Sequence, residues 1–406
     1  MSPPDHGGLR VVLRLPEVRA VVIGSFVIML GFGILAPVLP LYARTFHVDY
    51  RAVGELTAAF AFTRLLFDIV AGRMVQRWGE RAMATLGSVI LAVSTAFAAL
   101  APTFGLLVIF RAAGGVGSAL FFAALFSYLL RTVPGDQMGR AMSAYYGSFN
   151  LGFIVGPPLG GFIANAFGLR SPLWVYAATC MVAAALYFRF IHKLERRASP
   201  EDGHRGAIRR LPWKLPLVTV MVVNFATLWV VGAIYLTLLS LFGKDLLGLG
   251  ELGVSVGIAI ASATEFLVLF PAGSAADRVG RKRLLTVGLL LIAVGLPMFS
   301  TVSSAVGYMV GLGLLGVTTG IGGVTPAAML SDVVPVDLSA TAAGVFRFVG
   351  DLGITVGPIV AGWTANTFGL RWAVALTAVP CIVAFGFAVL TPETLGMRAR
   401  AEAAAA

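Results

Sequence analysis

Among the ionisable residues within apolar stretches of this sequence that are long enough to cross a bilayer, six stand out: Arg64, Asp68, Arg111, Glu265, Arg347 and Asp351. Charge at bilayer depth is costly, so such residues usually carry function. Two chemistries are open to them. Opposite charges can neutralise one another, and Arg64/Asp68 and Arg347/Asp351 are both four residues apart, so each pair lies on one helix face. A carboxylate with no cation beside it can instead carry a proton, because desolvation favours its neutral form. Glu265 is the best candidate for that second role.

These positions need apolar helices to hold them. Of the 406 residues, 58% are hydrophobic and 12% charged, and the mean hydropathy is +0.90. A soluble domain would carry about a quarter charged residues. The apolar runs predict an all-α membrane protein with twelve spans, at 18–43, 52–74, 82–101, 105–130, 140–163, 171–191, 215–242, 251–274, 284–302, 306–331, 341–363 and 371–391. A net charge of +11 also suits nucleic acid, so its placement decides. With the N-terminus inside, the cytoplasmic segments hold 22 of the 30 Lys and Arg, and the outer loops hold Arg44, Arg51, Arg170, Lys244 and Arg371. The basic excess is therefore topological: it predicts a multi-pass protein of the cell membrane with both termini cytoplasmic, and no nucleic-acid partner. No cleavage site marks a signal peptide, and the first apolar run is too long for one. Cys180 and Cys381 read as packing residues and not a disulfide. His6, His47, His192 and His204 all fall outside the spans, which leaves no metal cluster and no cofactor to expect.

The chain repeats itself at an offset of 201 residues: 12 of the 20 residues at 151–170 are identical to their partners at 352–371. The polar stretch 192–214 separates six spans from six and reads as a flexible cytoplasmic linker. The expected organisation is a six-helix bundle at 1–191, the linker at 192–214 and a second six-helix bundle at 215–406. Six spans per half keep both halves in one orientation, as parallel pseudo-symmetric repeats with a substrate site near mid-membrane.

Gly72-Arg73-Met74-Val75-Gln76-Arg77-Trp78-Gly79-Glu80-Arg81 joins spans two and three, and its partner is Gly273-Ser274-Ala275-Ala276-Asp277-Arg278-Val279-Gly280-Arg281-Lys282-Arg283. The second copy resembles the loop signature of the major facilitator superfamily, and the six-plus-six spans extend the resemblance over essentially the whole chain. Arg111-Ala112-Ala113-Gly114-Gly115-Val116-Gly117-Ser118-Ala119 in span four resembles a further family motif. The segment Gly152 to Gly161, with Gly152, Gly156, Pro157, Gly160 and Gly161, resembles the motif of the antiporters, chiefly drug exporters. Its glycines allow close helix approach and its proline bends the helix, so the motif marks either transport direction or packing alone. The resemblance implies a cytoplasmic latch made of Gly72, Arg77, Gly79, Gly273, Asp277, Arg278, Gly280 and Arg281. The first copy departs from it, with Gln76 in place of Asp and Glu80 in place of a basic residue. An Asp there can accept hydrogen bonds from a neighbouring helix N-terminus and complement its dipole. The Asp277 latch is therefore expected to be the stronger.

In the family fold spans two and eleven are neighbours between the halves. Matching depths then imply that Arg64 pairs with Asp351 and Asp68 with Arg347, a neutral quartet at a moving interface. The alternative is that each i,i+4 pair satisfies itself along its own helix. Glu265 occupies the position 201 after Arg64, and Asn150 of span five is the residue of matching depth opposite it. Proton coupling competes there with a structural carboxyl bonded to Asn150 and with direct contact to a cationic substrate. Arg111 either snorkels outward or joins the proton path, and Asp68 joins that path if its partner leaves during the cycle. Candidate cavity residues are Phe26, Met29, Phe122, Tyr128, Asn150, Asn224, Trp229, Tyr235 and Thr325, most of which suit helix packing equally well. The 28 phenylalanines suit an apolar or amphipathic substrate, and lipid-facing positions explain the same number.

The resulting expectation is a monomeric secondary transporter in the lipid bilayer, a proton-coupled exporter of small amphipathic molecules working by alternating access. The alternatives are a proton-coupled importer or uniporter of sugars or other metabolites, and a non-transporting sensor or scaffold. An enzyme is disfavoured, since no phosphate loop, metal cluster or nucleophile triad stands in a suitable context.

Overall fold

The structure is a computed structural model and describes residues 15–133, 137–192, 194, 209–323, 325–335, 338–395 and 397. The expectations for both termini, His6, His204 and most of the 192–214 linker lie outside the described residues, as does the side chain of Asp277.

All regular structure among the described residues is helical. Ten stretches are long and apolar enough to cross a membrane. Spans two and five complete the twelve as helices Tyr50–Trp78 and Met138–Phe167, of 29 and 30 residues. At 1.5 Å per residue each reaches about 44 Å, well past a hydrocarbon core of ~30 Å. Their lower hydropathy comes from charge in span two and from Gly, Ser, Asn and Tyr in span five.

Four glycines end or open these helices with positive φ: Gly79 at 86°, Gly280 at 110°, Gly168 at 85° and Gly369 at 88°. They form two pairs at the 201-residue offset, so the repeat preserves backbone turns that a side chain would strain. Spans one and seven also depart from regular helix at equivalent positions. Span one is Pro16–Leu35, then a break, then Leu39–Arg44. Span seven is α-helical over Leu215–Val230 and π-helical over Val231–Leu238.

The chain divides into two compact units, Met1–Leu39 with Phe62–Ser199 and Pro40–Ala61 with Pro200–Ala406. In the first unit span one packs on spans five and six, and span three on spans four and six. In the second unit span seven packs on spans eleven and twelve, and span nine on spans ten and twelve. Span eight packs on span ten. Glycine sets the closest approaches. A Cβ on Gly87 would lie 2.6 Å from Gly117 O, and one on its repeat partner Gly288 would lie 2.8 Å from Gly322 Cα.

The start of span two, inside Pro40–Ala61, belongs with the second unit rather than with the six-span half expected at 1–191. The physical reason is local. A Cβ on Gly54 would lie 3.3 Å from Gly362 Cα of span eleven, so the two backbones are in contact. Beside them Tyr50 donates to Asp245 Oδ2 at 2.9 Å, and Arg44 Nε lies 3.8 Å from the same oxygen. The Arg44 guanidinium covers the Tyr50 ring at 4.9 Å and also donates to Val48 O. Partial burial and the bond to Asp245 push the Tyr50 phenol up to about 12. Because the folded value is raised above the ordinary 10, this contribution to stability is complete below pH 10 and is lost as pH rises towards 12.

Candidate functional site

Glu265 sits in helix Glu251–Val279, where Gly316 and Gly320 let span ten pack directly onto span eight. A Cβ on Gly320 would lie 2.8 Å from Glu265 O, so the backbones nearly touch. That contact brings Thr319 Oγ1 to 3.3 Å from Glu265 Oε2, and the Tyr235 hydroxyl lies 3.2 Å from Thr319 Oγ1. Thr319 and Tyr235 are buried, and Tyr235 lies within the π-helical part of span seven. Thr319 Oγ1 is also 3.1 Å from the carbonyls of Leu315 and Gly316, but its hydroxyl has a single proton. An ionised Glu265 draws that proton, while a protonated Glu265 can donate to Thr319 and release it to a carbonyl. Spans seven, eight and ten thus meet at a chain of hydrogen-bonding groups. Asn150, the expected neighbour of Glu265, is exposed on span five. Thr319 was not among the expected residues; the polar pair Thr318-Thr319 in an apolar run was the available signal.

Arg111 is only 2% exposed, which overturns the snorkelling alternative. It lies within electrostatic reach of Tyr176 and Cys180 of span six, and Arg64 reaches Tyr176 as well. Asp68 is half-buried on the same helix as Arg64. In span eleven Arg347 Nε lies 3.9 Å from Asp351 Oδ2, with Asp351 buried and Arg347 exposed, so this pair is formed along its own helix.

The two loop motifs make different contacts. At the second, Arg281 Nε donates to Asp332 Oδ2 of span ten at 3.3 Å. At the first, Glu80 is 3% exposed and accepts from Arg131 Nη1 of span four at 2.7 Å and from Ser127 at 3.0 Å. Residues 80 and 281 are 201 apart, and so are 131 and 332. The same ion pair therefore recurs with its charges exchanged, and the departure at Glu80 is compensated on span four. The N-terminus of span nine is capped by Glu393, which follows span twelve: the backbone N–H groups of Arg281 and Lys282 donate to its carboxylate at 2.9 and 3.2 Å. In the first motif Gln76 and Arg77 are exposed, with the Arg77 guanidinium 5.4 Å from the Trp78 ring, and Gly72 faces open space. In the second, Arg278 is exposed and Gly273 half-buried. Arg131→Ala, which leaves the Glu80 carboxylate buried without that cation, is expected to lower unfolding stability in detergent by about 3 kcal/mol. The exchange Glu80→Arg with Arg131→Glu should recover most of that loss, and equal instability of the single and double variants would refute the pairing.

The glycines of the antiporter-type motif are packing surfaces. A Cβ on Gly152 would lie 2.7 Å from Leu30 N, and one on Gly156 2.6 Å from Gly33 Cα; Gly160 is closed by Ile34 O. Pro157 lies inside the helix, and Gly161 is buried. Span eleven repeats the arrangement on span seven, where a Cβ on Gly357 would lie 2.8 Å from Trp229 O.

The expected cavity residues separate into groups. Tyr128 is fully buried and its hydroxyl accepts from His192 N at 3.3 Å, and Thr325 is fully buried in span ten. Tyr128 is thereby tied to the end of span six, while the buried Thr325 hydroxyl makes no hydrogen bond among the described residues. Asn224 donates to Phe346 O of span eleven at 2.6 Å, and Trp229 is buried with its ring 5.9 Å from Phe225. Met29 packs on Gly152, and Phe26 is half-buried on the same helix. Phe122 belongs to an aromatic patch of spans four and five that was not foreseen. Its ring lies 4.3 Å from Phe121 and 5.4 Å from Phe149, and Phe149 lies 4.6 Å from Tyr145. Tyr146 is exposed beside them. Among the described residues no group of His, Cys, Asp and Glu is placed to hold a metal.

Comparison with known proteins agrees with this architecture. The chain matches the family model of the Major Facilitator Superfamily over residues 21–268 and 254–405. It is 29% identical to Multidrug resistance protein 2 of Bacillus subtilis, over 69% of this chain and 71% of the relative. It is 26% identical to Multidrug resistance protein 1 of the same organism, over 83% and 86% of the two chains. Among solved structures it resembles a bacterial homologue of the human lysosomal transporter Spinster, with TM-score 0.79 at 17% identity over 96% of this chain and 97% of that one. With twelve membrane helices in two six-helix halves, the chain belongs to the Major Facilitator Superfamily and is a membrane transporter, not an enzyme.

Proposed function

We propose that the protein is a proton-coupled exporter of small amphipathic organic compounds, with Glu265 as the group that loads and releases the proton. The observation that carries this reading is the Glu265–Thr319–Tyr235 chain, where a carboxylate inside a span meets hydroxyls of two other spans. A proton exchanged there changes which acceptor the Thr319 hydroxyl serves, and so changes bonds on spans seven, eight and ten together. The aromatic patch of Phe122, Tyr146 and Phe149 offers an apolar wall to an amphipathic ligand. The multidrug resistance proteins among its relatives support efflux of such compounds.

The test is flux in everted membrane vesicles with an imposed pH gradient. Uptake of lipophilic cationic dyes into vesicles acidified inside, and its collapse when the gradient is dissipated, is the expected result. Accumulation of sugars or other metabolites in the opposite direction would establish the importer alternative in its place.

A further inference from the structure

Spans one and six enclose a cavity of about 220 Å³ at the end of the first unit that the charge asymmetry assigns to the cytoplasm. Its lining divides by chemistry. Arg19, Arg189 and His192 stand around it, and Ile23, Leu186 and Phe190 form its apolar part, with Pro16 and Ala20 between. Beside the cavity a Cβ on Gly24 would lie 2.6 Å from Tyr187 Cζ, so the two spans are in contact there. His192 is held in place by its backbone N–H, which donates to the buried Tyr128 hydroxyl at 3.3 Å. The Arg189 guanidinium rests 5.5 Å from the Phe190 ring, which orients it along the apolar surface. Among the described residues no carboxylate forms an ion pair with Arg19 or Arg189.

We infer that this cavity binds the headgroup of an anionic phospholipid, with the phosphodiester between Arg19 and Arg189 and the first acyl carbons against Ile23, Leu186 and Phe190. Basic residues at span ends generally lie near headgroups. What distinguishes this place is concavity: two arginines from different helices line one cavity together with an apolar floor. A small inorganic anion would satisfy the charges but not the floor, and a zwitterionic lipid brings its own cation to the guanidiniums. A lipid seated there bridges spans one and six and stabilises the first unit by mass action. This inference does not depend on the direction or coupling of transport.

The test uses the purified full-length protein in a neutral detergent, with thermal unfolding and native mass spectrometry as readouts. Phosphatidylglycerol should raise the unfolding temperature and remain bound to the wild-type protein, while phosphatidylcholine and inorganic phosphate should do neither. The double variant Arg19→Ala/Arg189→Ala should bind phosphatidylglycerol roughly thirty-fold more weakly, given the usual worth of two basic groups at an anionic lipid surface. The control Arg209→Ala/Arg210→Ala removes two exposed basic residues elsewhere and should bind as wild type does. Arg19→Lys/Arg189→Lys should retain binding, which separates loss of charge from misfolding. Equal weakening of the pocket and control variants would refute a defined site, leaving diffuse attraction. Stabilisation by phosphatidylcholine or by inorganic phosphate to the same extent would refute the anionic-lipid assignment.

Discussion

Glu265→Gln is expected to abolish pH-driven substrate accumulation, down to the level of protein-free vesicles, while substrate-for-substrate exchange continues. Glutamine keeps the volume and can still accept from Thr319, so the helices retain their packing; it cannot bind or release a proton at these pH values. The separation of the two activities is what identifies a coupling group, since a misfolded carrier would lose both. Thr319→Val removes the hydroxyl that donates to the ionised carboxylate at 3.3 Å. A hydrogen bond to a charged group is worth about 1.5–3 kcal/mol, so the midpoint of transport against pH should move upward by roughly one to two units. Thr319→Ser keeps the hydroxyl and should restore the wild-type profile. Full accumulation by Glu265→Gln would remove Glu265 from the proton path. An unchanged profile in Thr319→Val would remove Thr319 from its control.

Gly156→Ala is expected to cost a large part of the protein's stability. The added Cβ would sit 2.6 Å from both Cα and C of Gly33 and 2.8 Å from Ile34 N, all of them backbone atoms of span one. No flexible side chain can give way, so spans one and five must move apart along their whole glycine seam. Overpacking costs about 1–3 kcal/mol in ordinary cores, and a backbone obstacle puts this site at the upper end or beyond. Gly147→Ala is the internal control, because a Cβ there meets nothing within 4 Å on the same helix. That variant should be neutral or slightly stabilising, as alanine is the better helix former by about 1 kcal/mol. Unfolding temperature in detergent and the folded fraction by gel filtration measure both. A Gly156→Ala protein as stable as Gly147→Ala would contradict the close packing of these helices.

The candidate site was legible in part. Glu265 stood out because a carboxylate in an apolar run is rare and costly, and Tyr235 because it is a polar group in span seven. Thr319 was hidden, since a threonine inside a helix usually bonds its own backbone and one of its bonds here does so. The Glu80 departure was visible in the loop motif, but its meaning was not. Only Arg131 on span four turns an irregularity into an ion pair with its charges exchanged. Similarly, Glu393 gives no sign in the sequence that it caps span nine, more than a hundred residues away. The antiporter-type glycines left direction and packing both open, and the close backbones of spans one and five account for Gly152, Gly156 and Gly160 by packing.

By itself, the order of residues determined the membrane class, the spans, the repeat and the list of intramembrane charges. Length, hydropathy and basic asymmetry are properties of the chain in one dimension. Tertiary structure alone decided the partners: Thr319 for Glu265, Arg131 for Glu80, the second unit for the start of span two, and the protein interior for Arg111. A hydrogen bond or ion pair depends on atoms meeting within about 3–4 Å. Which atoms meet depends on how far one helix slides and turns against the next, and here glycine contacts between backbones set that register.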